Sequence, residues 1–306
     1  MKTKAIVPET AWGLGRSKLS DYIELTKFRL LMLVLLTVGI GFYLSSSVSN
    51  VVLFLNTLFG VACVGSGANA LNQWYERDSD ARMMRTRHRP LPSGRLSSFE
   101  AFCFGLTISF LGMAYLAFTV NVLTALLGFV TWATYLFLYT PLKRKTVLNT
   151  WIGAVPGALP PLMGWTAARG TLDIEALSLF AILYLWQLPH FFAISWIYRD
   201  DYKNGGFQML SRSDHTGQKT SYQMFLNSAL LLLASLSLIF IQKTGLLYLI
   251  CALGLGISFL AITTFFFRER TIVNARKVFF ASIIYFPVLW VAMVLDRMTG
   301  WTLPYL

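Results

Sequence analysis

The residues best suited to chemistry lie where a long apolar stretch ends. Asn72, Glu76 and Asp80 are spaced at i, i+4 and i+8, so on a helix they stack on one face. Stacked carboxylates repel one another and favour a bound cation. Hard oxygen ligands suit Mg²⁺, which commonly bridges carboxylates to substrate phosphates. The spacing therefore predicts a magnesium site, provided that the helix extends as far as Asp80.

Basic side chains follow these acids directly. Residues 77–89 contain five arginines, and the guanidinium group is well shaped for phosphate oxygens. Acids for Mg²⁺ beside arginines for phosphate indicate a diphosphate site, with Arg82, Arg85 and Arg89 as candidates. The alternative is a solvated charged loop at a membrane surface.

Two later polar segments carry the same kinds of residue. Asp200 and Asp201 form an acidic pair beside basic neighbours, and Lys143 and Arg144 follow another apolar stretch. We expect Asp200 or Asp201 to join the metal site if the helix ends face one cavity, and Lys143 and Arg144 to hold phosphate. The alternatives are a charge cluster at a helix end and an anchor to lipid headgroups.

One histidine, His190, lies inside an apolar stretch, and an ionisable residue at such depth is a candidate for function. Three roles fit it: an axial ligand to iron, a proton donor or acceptor, and a polar brace. Pro189 precedes it and should bend the helix there, because proline lacks a backbone N–H.

The elements that position these groups are membrane helices. Of 306 residues, 56% are hydrophobic and 13% charged, and the mean hydropathy is +0.58, whereas soluble domains have about 25% charged residues. The apolar blocks approach the roughly 20 residues that cross a bilayer as helix, and the alternating segments of a β-barrel are not evident. We predict an all-α polytopic membrane protein with nine spans: 25–45, 51–74, 99–120, 122–140, 148–168, 174–198, 220–242, 245–267 and 277–295.

The basic residues divide unequally between the two sides of such a bundle. A net charge of +12 would suit a nucleic-acid partner, but its distribution argues for a membrane. With a cytoplasmic N-terminus, 23 of the 26 lysines and arginines fall on the cytoplasmic side, as the positive-inside rule requires. We predict a single domain over 1–306, a cytoplasmic segment over 1–24, and a C-terminus on the opposite side.

These motifs carry a resemblance to a known family. The chain resembles the UbiA superfamily of intramembrane aromatic prenyltransferases in Asn72-x-x-x-Glu76-x-x-x-Asp80, in Arg85-Thr-x-x-Arg89 after it, and in Tyr139-x-x-x-Lys143. Within that superfamily it is similar to the heme O synthase family in Asn-Gln-Trp-Tyr-Glu-Arg-Asp-Ser-Asp, Tyr-Thr-Pro-Leu-Lys-Arg, Gln-Leu-Pro-His-Phe-Phe and Tyr-Arg-Asp-Asp-Tyr. The similarity extends from Thr26 over nearly the whole chain.

The resemblance implies a nine-helix bundle around a central, lipid-open cavity. It implies transfer of a farnesyl group from farnesyl diphosphate to the 2-vinyl group of heme b, with water added and Mg²⁺ as cofactor. The implied Mg²⁺ and catalytic residues are Asn72, Glu76, Asp80, Asp200 and Asp201. The expected diphosphate contacts are Arg82, Arg85, Arg89, Tyr139, Lys143 and Arg144, and His190 is the candidate for the heme.

Two positions depart from the superfamily pattern. Glu76 stands where aspartate is usual, and Ile197 stands where the second motif usually begins with aspartate. The second departure weakens the case for a full second metal site.

Other functions stay open on the sequence alone. A prenyltransferase of the same superfamily could act on a quinone precursor or a chlorophyll-type ring. A heme or lipid transporter would need inverted repeats and broken helices near the midplane, and an oxidase assembly factor would not need the acidic motifs. We expect the plasma membrane of a prokaryote, membrane lipid as surroundings, no nucleic-acid partner, and a downstream heme-modifying enzyme as a candidate partner.

Overall fold

The computed structural model describes residues 17–45, 50–242 and 244–299. Predictions about the N-terminal segment up to residue 16, about Lys243 and about residues 300–306 lie outside the described residues. The regular elements in the described ranges are helices, which confirms the all-α prediction.

The helices follow one another through short connections, apart from two longer segments after α3 and α9. A π-helix, Thr134–Tyr139, lies between α5 and α6. The elements are α1 (Lys18–Leu25), α2 (Phe28–Ser45), α3 (Val51–Asp80), α4 (Ser98–Thr119), α5 (Val122–Ala133), α6 (Thr140–Leu142), α7 (Asn149–Ala158), α8 (Pro160–Arg169), α9 (Ile174–Ile197), α10 (Arg199–Asn204), α11 (Leu210–Ser213), α12 (Gln218–Gln242), α13 (Leu246–Arg268) and α14 (Ile272–Thr299).

Eight helices in the described ranges are long and apolar enough to cross a membrane. The predicted span 148–168 is instead divided into α7 and α8, of 10 residues each. The division falls at Leu159, because the two prolines that follow it, Pro160 and Pro161, lack the backbone N–H groups that would continue the hydrogen bonds of the helix. One of the eight long helices is Val122–Leu142, which consists of α5, the π-helix and α6. The nine predicted spans therefore correspond to eight long helices and the divided pair of α7 and α8. By contrast, α9 continues through Pro189 as one element.

Small residues bring α2 and α8 close together. A side chain at Gly41 would overlap the carbonyl group of Pro161, and one at Gly164 would overlap the carbonyl group of Val38. Small residues at such crossings let helix backbones approach closely in a membrane. This contact brings the first span against the divided helix.

The core is apolar, and so is the outer surface. Phe192, Tyr285 and Trp290 are fully buried in the larger core cluster, which α9, α12, α13 and α14 share with parts of α7 and α8. Phe118 is 90% exposed, and many other large apolar side chains share this outward position. An apolar exterior of this kind is suited to lipid, and the chain is an integral membrane protein.

Candidate active site

The end of α3 presents three polar side chains to the interior of the bundle. Because α3 continues to Asp80, Asn72, Glu76 and Asp80 lie on one face, as the spacing predicts. Their exposed fractions are 0%, 3% and 1% respectively. Buried carboxylates need paired charges and hydrogen bonds, so their partners define the site.

A different cation contacts each of the three side chains. Lys143 Nζ lies 2.9 Å from Glu76 Oε1, and Arg89 Nη1 lies 2.6 Å from Asp80 Oδ2. Lys27 Nζ donates to Asn72 Oδ1 at 2.9 Å. The structure thus brings Arg89 and Lys143, two predicted phosphate contacts, to the predicted metal ligands.

Lys27 was not among the residues predicted for the site. It lies between α1 and α2 with φ +53°, a left-handed conformation that is uncommon for a residue with a side chain. Two amide side chains of α3 hold the preceding turn, Asn69 Nδ2 on the Thr26 carbonyl at 2.9 Å and Gln73 Nε2 on the Leu25 carbonyl at 2.8 Å. In sequence Lys27 is one of several basic residues at or before the start of the first predicted span, so local spacing did not identify it.

Burial and charge affect the two lysines in opposite directions. Burial lowers the pKa of Lys27 to about 7, and the positive charges of Arg89 and Lys143 also lower it. Burial acts to lower the pKa of Lys143 too, but the Glu76 carboxylate and nearby groups outweigh it and raise that pKa. Lys143 is therefore charged at neutral pH, whereas Lys27 titrates there.

The π-helix shapes the wall beside Lys27. Thr140 Oγ1 donates to the Tyr135 carbonyl at 2.7 Å and accepts a hydrogen bond from Asn72 Nδ2 at 3.1 Å. Lys27 Nζ also lies 3.4 Å from the Tyr135 hydroxyl oxygen. Widened turns of this type are frequent at functional sites. Tyr135 is a second site residue that sequence reasoning did not identify, because a π-helix has no clear sequence signal.

Tyr139, a predicted diphosphate contact, lies against Lys143. The Lys143 Nζ atom is 4.5 Å from the centroid of the Tyr139 ring and 5.6 Å from that of Phe207. The ring packs on Gly153, where any side chain would overlap it. Tyr139 therefore helps to fix the position of the Lys143 ammonium group by a cation–π contact.

The second acidic motif has different surroundings. Asp201 accepts hydrogen bonds from the backbone N–H groups of Met84 and Arg85, at 3.1 and 3.3 Å, and so joins the segments after α3 and α9. Asp200 is exposed. Among the described residues these two acids do not form a metal-binding group of three with Glu76 and Asp80, and their role as metal ligands stays a prediction.

The side chains of three other predicted phosphate contacts bind other groups. Arg82 Nη2 donates to the Gly205 carbonyl at 3.2 Å. The Arg85 guanidinium carbon lies 5.6 and 5.7 Å from the ring centroids of Tyr198 and Tyr202. The exposed Arg144 side chain stacks over the Tyr75 ring, 5.7 Å from its centroid.

The donor set of the first motif fits one hard cation. Within residues 17–45, 50–242 and 244–299, no three His, Cys, Asp or Glu side chains come together as a metal-binding group. Asn72, Glu76 and Asp80 nevertheless offer the oxygen ligands that Mg²⁺ prefers. Asp80 Oδ1 is buried and has no hydrogen-bond partner among the described residues, so it is available to a cation.

His190 lies half-buried between α9 and α14. Its Nδ1 atom is 2.7 Å from Ser282 Oγ, and its ring lies between those of Trp186 and Phe279. This neutral cluster is separate from the charged one, and Ser282 gave no signal in the sequence.

Comparisons with known proteins agree on one family. The model of the UbiA prenyltransferase family matches residues 33–284. A protoheme IX farnesyltransferase of Solibacter usitatus (strain Ellin6076) is 45% identical over 287 residues, covering 90% of this chain and 98% of that protein. A solved digeranylgeranylglyceryl phosphate synthase has a TM-score of 0.79 at 21% identity, covering 92% of this chain and 99% of that one. A UbiA homolog from Archaeoglobus fulgidus bound to DMAPP and Mg²⁺ has a TM-score of 0.67 at 15% identity, covering 89% and 99%.

Proposed function

This chain belongs to the UbiA prenyltransferase family, and we propose that it transfers the farnesyl group of farnesyl diphosphate to the 2-vinyl group of heme b. Water is added in the same reaction, and the products are heme O and diphosphate. The observation that carries the proposal is the buried pairing of Glu76 with Lys143 and of Asp80 with Arg89. The name of the Solibacter relative supports the choice of acceptor.

The cations of the site have enough N–H donors to bind a diphosphate while they stay paired with their carboxylates. An ammonium group has three donors and a guanidinium group has five, so Lys143 and Arg89 keep donors for phosphate oxygens while they stay paired. Lys27 contributes a third cation when it is protonated. Mg²⁺, which Asn72, Glu76 and Asp80 would hold, supplies further stabilisation of the departing charge when it is bound. Asp200 and Asp201 stay predictions as additional ligands.

The reaction then balances as follows. The bond between farnesyl C1 and the diphosphate oxygen breaks, and its electron pair leaves with the diphosphate. The terminal vinyl carbon of the porphyrin attacks C1 and forms the new carbon–carbon bond, which leaves a cation on the adjacent carbon. Water captures that cation and loses one proton. The rings of Tyr135 and Tyr139 lie beside the diphosphate site and suit an allylic cation.

The orientation and partners are also part of the proposal. The charge distribution supports a cytoplasmic N-terminus and a diphosphate site on the cytoplasmic side of a prokaryotic plasma membrane. There farnesyl diphosphate reaches the site from water and heme b from the bilayer. A downstream heme-modifying enzyme that receives heme O is the partner that we propose.

The test is a defined reaction with purified protein in lipid nanodiscs. Heme b, farnesyl diphosphate and Mg²⁺ should give a heme that is heavier by one farnesyl group and one hydroxyl group. In ¹⁸O-labelled water the new hydroxyl group should carry the label. Unmodified heme, together with prenylation of a quinone precursor offered in parallel, would assign the other acceptor class and contradict the proposal.

A further inference from the structure

The environment of His190 defines which of its two ring nitrogens carries the proton. Ser282 Oγ is 2.7 Å from His190 Nδ1 and 2.6 Å from the backbone carbonyl oxygen of Phe279. A carbonyl oxygen only accepts, and a serine hydroxyl has one hydrogen to donate. Ser282 therefore donates to Phe279 and accepts from His190, so the proton lies on Nδ1.

The ring is also fixed in its plane. The His190 ring stacks on Trp186, with centroids 5.2 Å apart and planes at 19°, and on Phe279, at 5.1 Å and 27°. Trp186 is held in turn by a hydrogen bond of 2.8 Å from its Nε1 to the Ser282 carbonyl oxygen. One residue of α14 thus holds both the imidazole and the indole beneath it. A neutral imidazole is less costly to bury than an imidazolium, so before the reaction the ring is neutral and Nε2 has a free electron pair.

We propose that Ser282 is a positioning residue that holds His190 in the Nδ1–H tautomer and thereby presents Nε2 as an electron-pair donor to the acceptor substrate. This inference rests on the proposed function. In this tautomer Nε2 binds the heme iron or takes the proton that the added water loses, but it does not donate a hydrogen bond to a propionate. His190 precedes the end of α9 by seven residues, or about 10 Å, which suits a porphyrin below the diphosphate site.

The tautomer is measurable without any substrate. The chain has three histidines, so ¹⁵N-histidine labelling gives a simple NMR spectrum, and His190→Asn identifies the signals of His190. We expect a protonated Nδ1 and an unprotonated Nε2 in the unmodified protein, and a redistributed proton in Ser282→Ala. A proton on Nε2 in the unmodified protein, or the same tautomer in Ser282→Ala, would overturn the inference.

Turnover tests the consequence of this geometry. Loss of a hydrogen-bond partner that orients a functional histidine typically costs about 10- to 100-fold in activity or affinity. We expect such a loss of kcat in Ser282→Ala, with the KM for farnesyl diphosphate unchanged. Ser282→Thr keeps an oxygen that accepts from Nδ1 and should restore most of the activity.

Ser178→Ala is the matched control. Ser178 makes the same bond to the carbonyl oxygen three residues earlier, also at 2.6 Å, but contacts no histidine ring. Equal kcat values for Ser282→Ala and Ser178→Ala, or no rescue by threonine, would overturn the positioning role. An inactive unmodified protein would count against the proposed function alone, because the NMR measurement requires no turnover.

The Soret spectrum of added heme b distinguishes the two uses of Nε2. A spectrum that changes in both His190→Ala and Ser282→Ala assigns iron ligation. An unchanged spectrum with lost turnover in both variants assigns proton acceptance, and both results support an electron pair on Nε2. Unchanged spectra with unchanged turnover would leave His190 as a brace and refute the proposal.

Discussion

The two acidic motifs are alike in composition and differ in their surroundings. Glu76 and Asp80 are buried on one helix face, and each is paired with a cation from another segment. Asp200 is exposed, and Asp201 accepts hydrogen bonds from the backbone of the segment after α3. A buried carboxylate paired with a cation can take part in binding a highly charged ligand such as a diphosphate with its metal. A carboxylate that holds backbone N–H groups serves to join two loops.

The largest expected effect is the loss of turnover when an acid of the first motif is replaced. Glu76→Gln and Asp80→Asn should each lower kcat by about 100- to 1,000-fold, because loss of one preorganised electrostatic group costs this much at comparable sites. Steady-state formation of the heme product measures it, and unchanged heme binding shows that the variants are folded. Near-normal turnover in both variants would remove the first motif from the catalytic site.

A smaller loss is expected at the paired cations. Arg89→Ala and Lys143→Ala should each weaken farnesyl diphosphate binding by about 1.5–3 kcal/mol, the usual value of a charge-assisted hydrogen bond. Arg85→Ala is the matched control, because Arg85 stacks on Tyr198 and Tyr202 instead, and it should cost less. A loss at Arg85 as large as that at Arg89 would place the phosphates nearer the second motif.

The pH dependence of binding tests Lys27. Its pKa is lowered to about 7 in the free protein, and a bound diphosphate should raise it again. Binding then takes up a proton, so the affinity is highest below pH 7 and falls as the pH rises through 7, by at most about tenfold per pH unit. Lys27→Met is the control, because in this variant only the pH dependence that comes from the ligand itself remains. Identical pH profiles for the variant and the unmodified protein would contradict the assignment.

The smallest effects are expected at the second motif. Asp201→Asn should lower kcat by less than about tenfold, because asparagine keeps one acceptor oxygen and the loss of the other hydrogen bond acts on the loops. Hydrogen exchange should become faster at whichever of the Met84 and Arg85 amides loses its acceptor. Asp200→Asn should leave turnover within about twofold, as is usual for an exposed side chain. A deeper loss at Asp200 than at Asp80 would reverse the comparison.

The sequence predicts the parts of this molecule that depend on local periodicity. Apolar block length predicts the helices, and the i, i+4, i+8 spacing correctly places Asn72, Glu76 and Asp80 on one buried face. The division of the fifth span at Leu159 was not predicted, although Pro160 and Pro161 were visible, because a proline can bend a membrane helix without ending it.

The remaining site depends on contacts between distant segments. Lys27 reaches Asn72 across 45 residues, and Ser282 reaches His190 across 92. Neither pair has a spacing that a helix repeat would indicate. Composition alone does not separate a carboxylate beside cations from one beside backbone N–H groups, so the sequence did not distinguish the surroundings of Asp201 from those of Asp80.

The central claim is that binding of the diphosphate with its metal depends more on the buried acids of the first motif than on the exposed Asp200 of the second. Calorimetric titration of the protein in nanodiscs with a non-hydrolysable farnesyl diphosphate analogue, with and without Mg²⁺, tests it most directly. We predict that Mg²⁺-dependent binding is lost in Asp80→Asn and retained in Asp200→Asn. Retention in Asp80→Asn together with loss in Asp200→Asn would contradict the account.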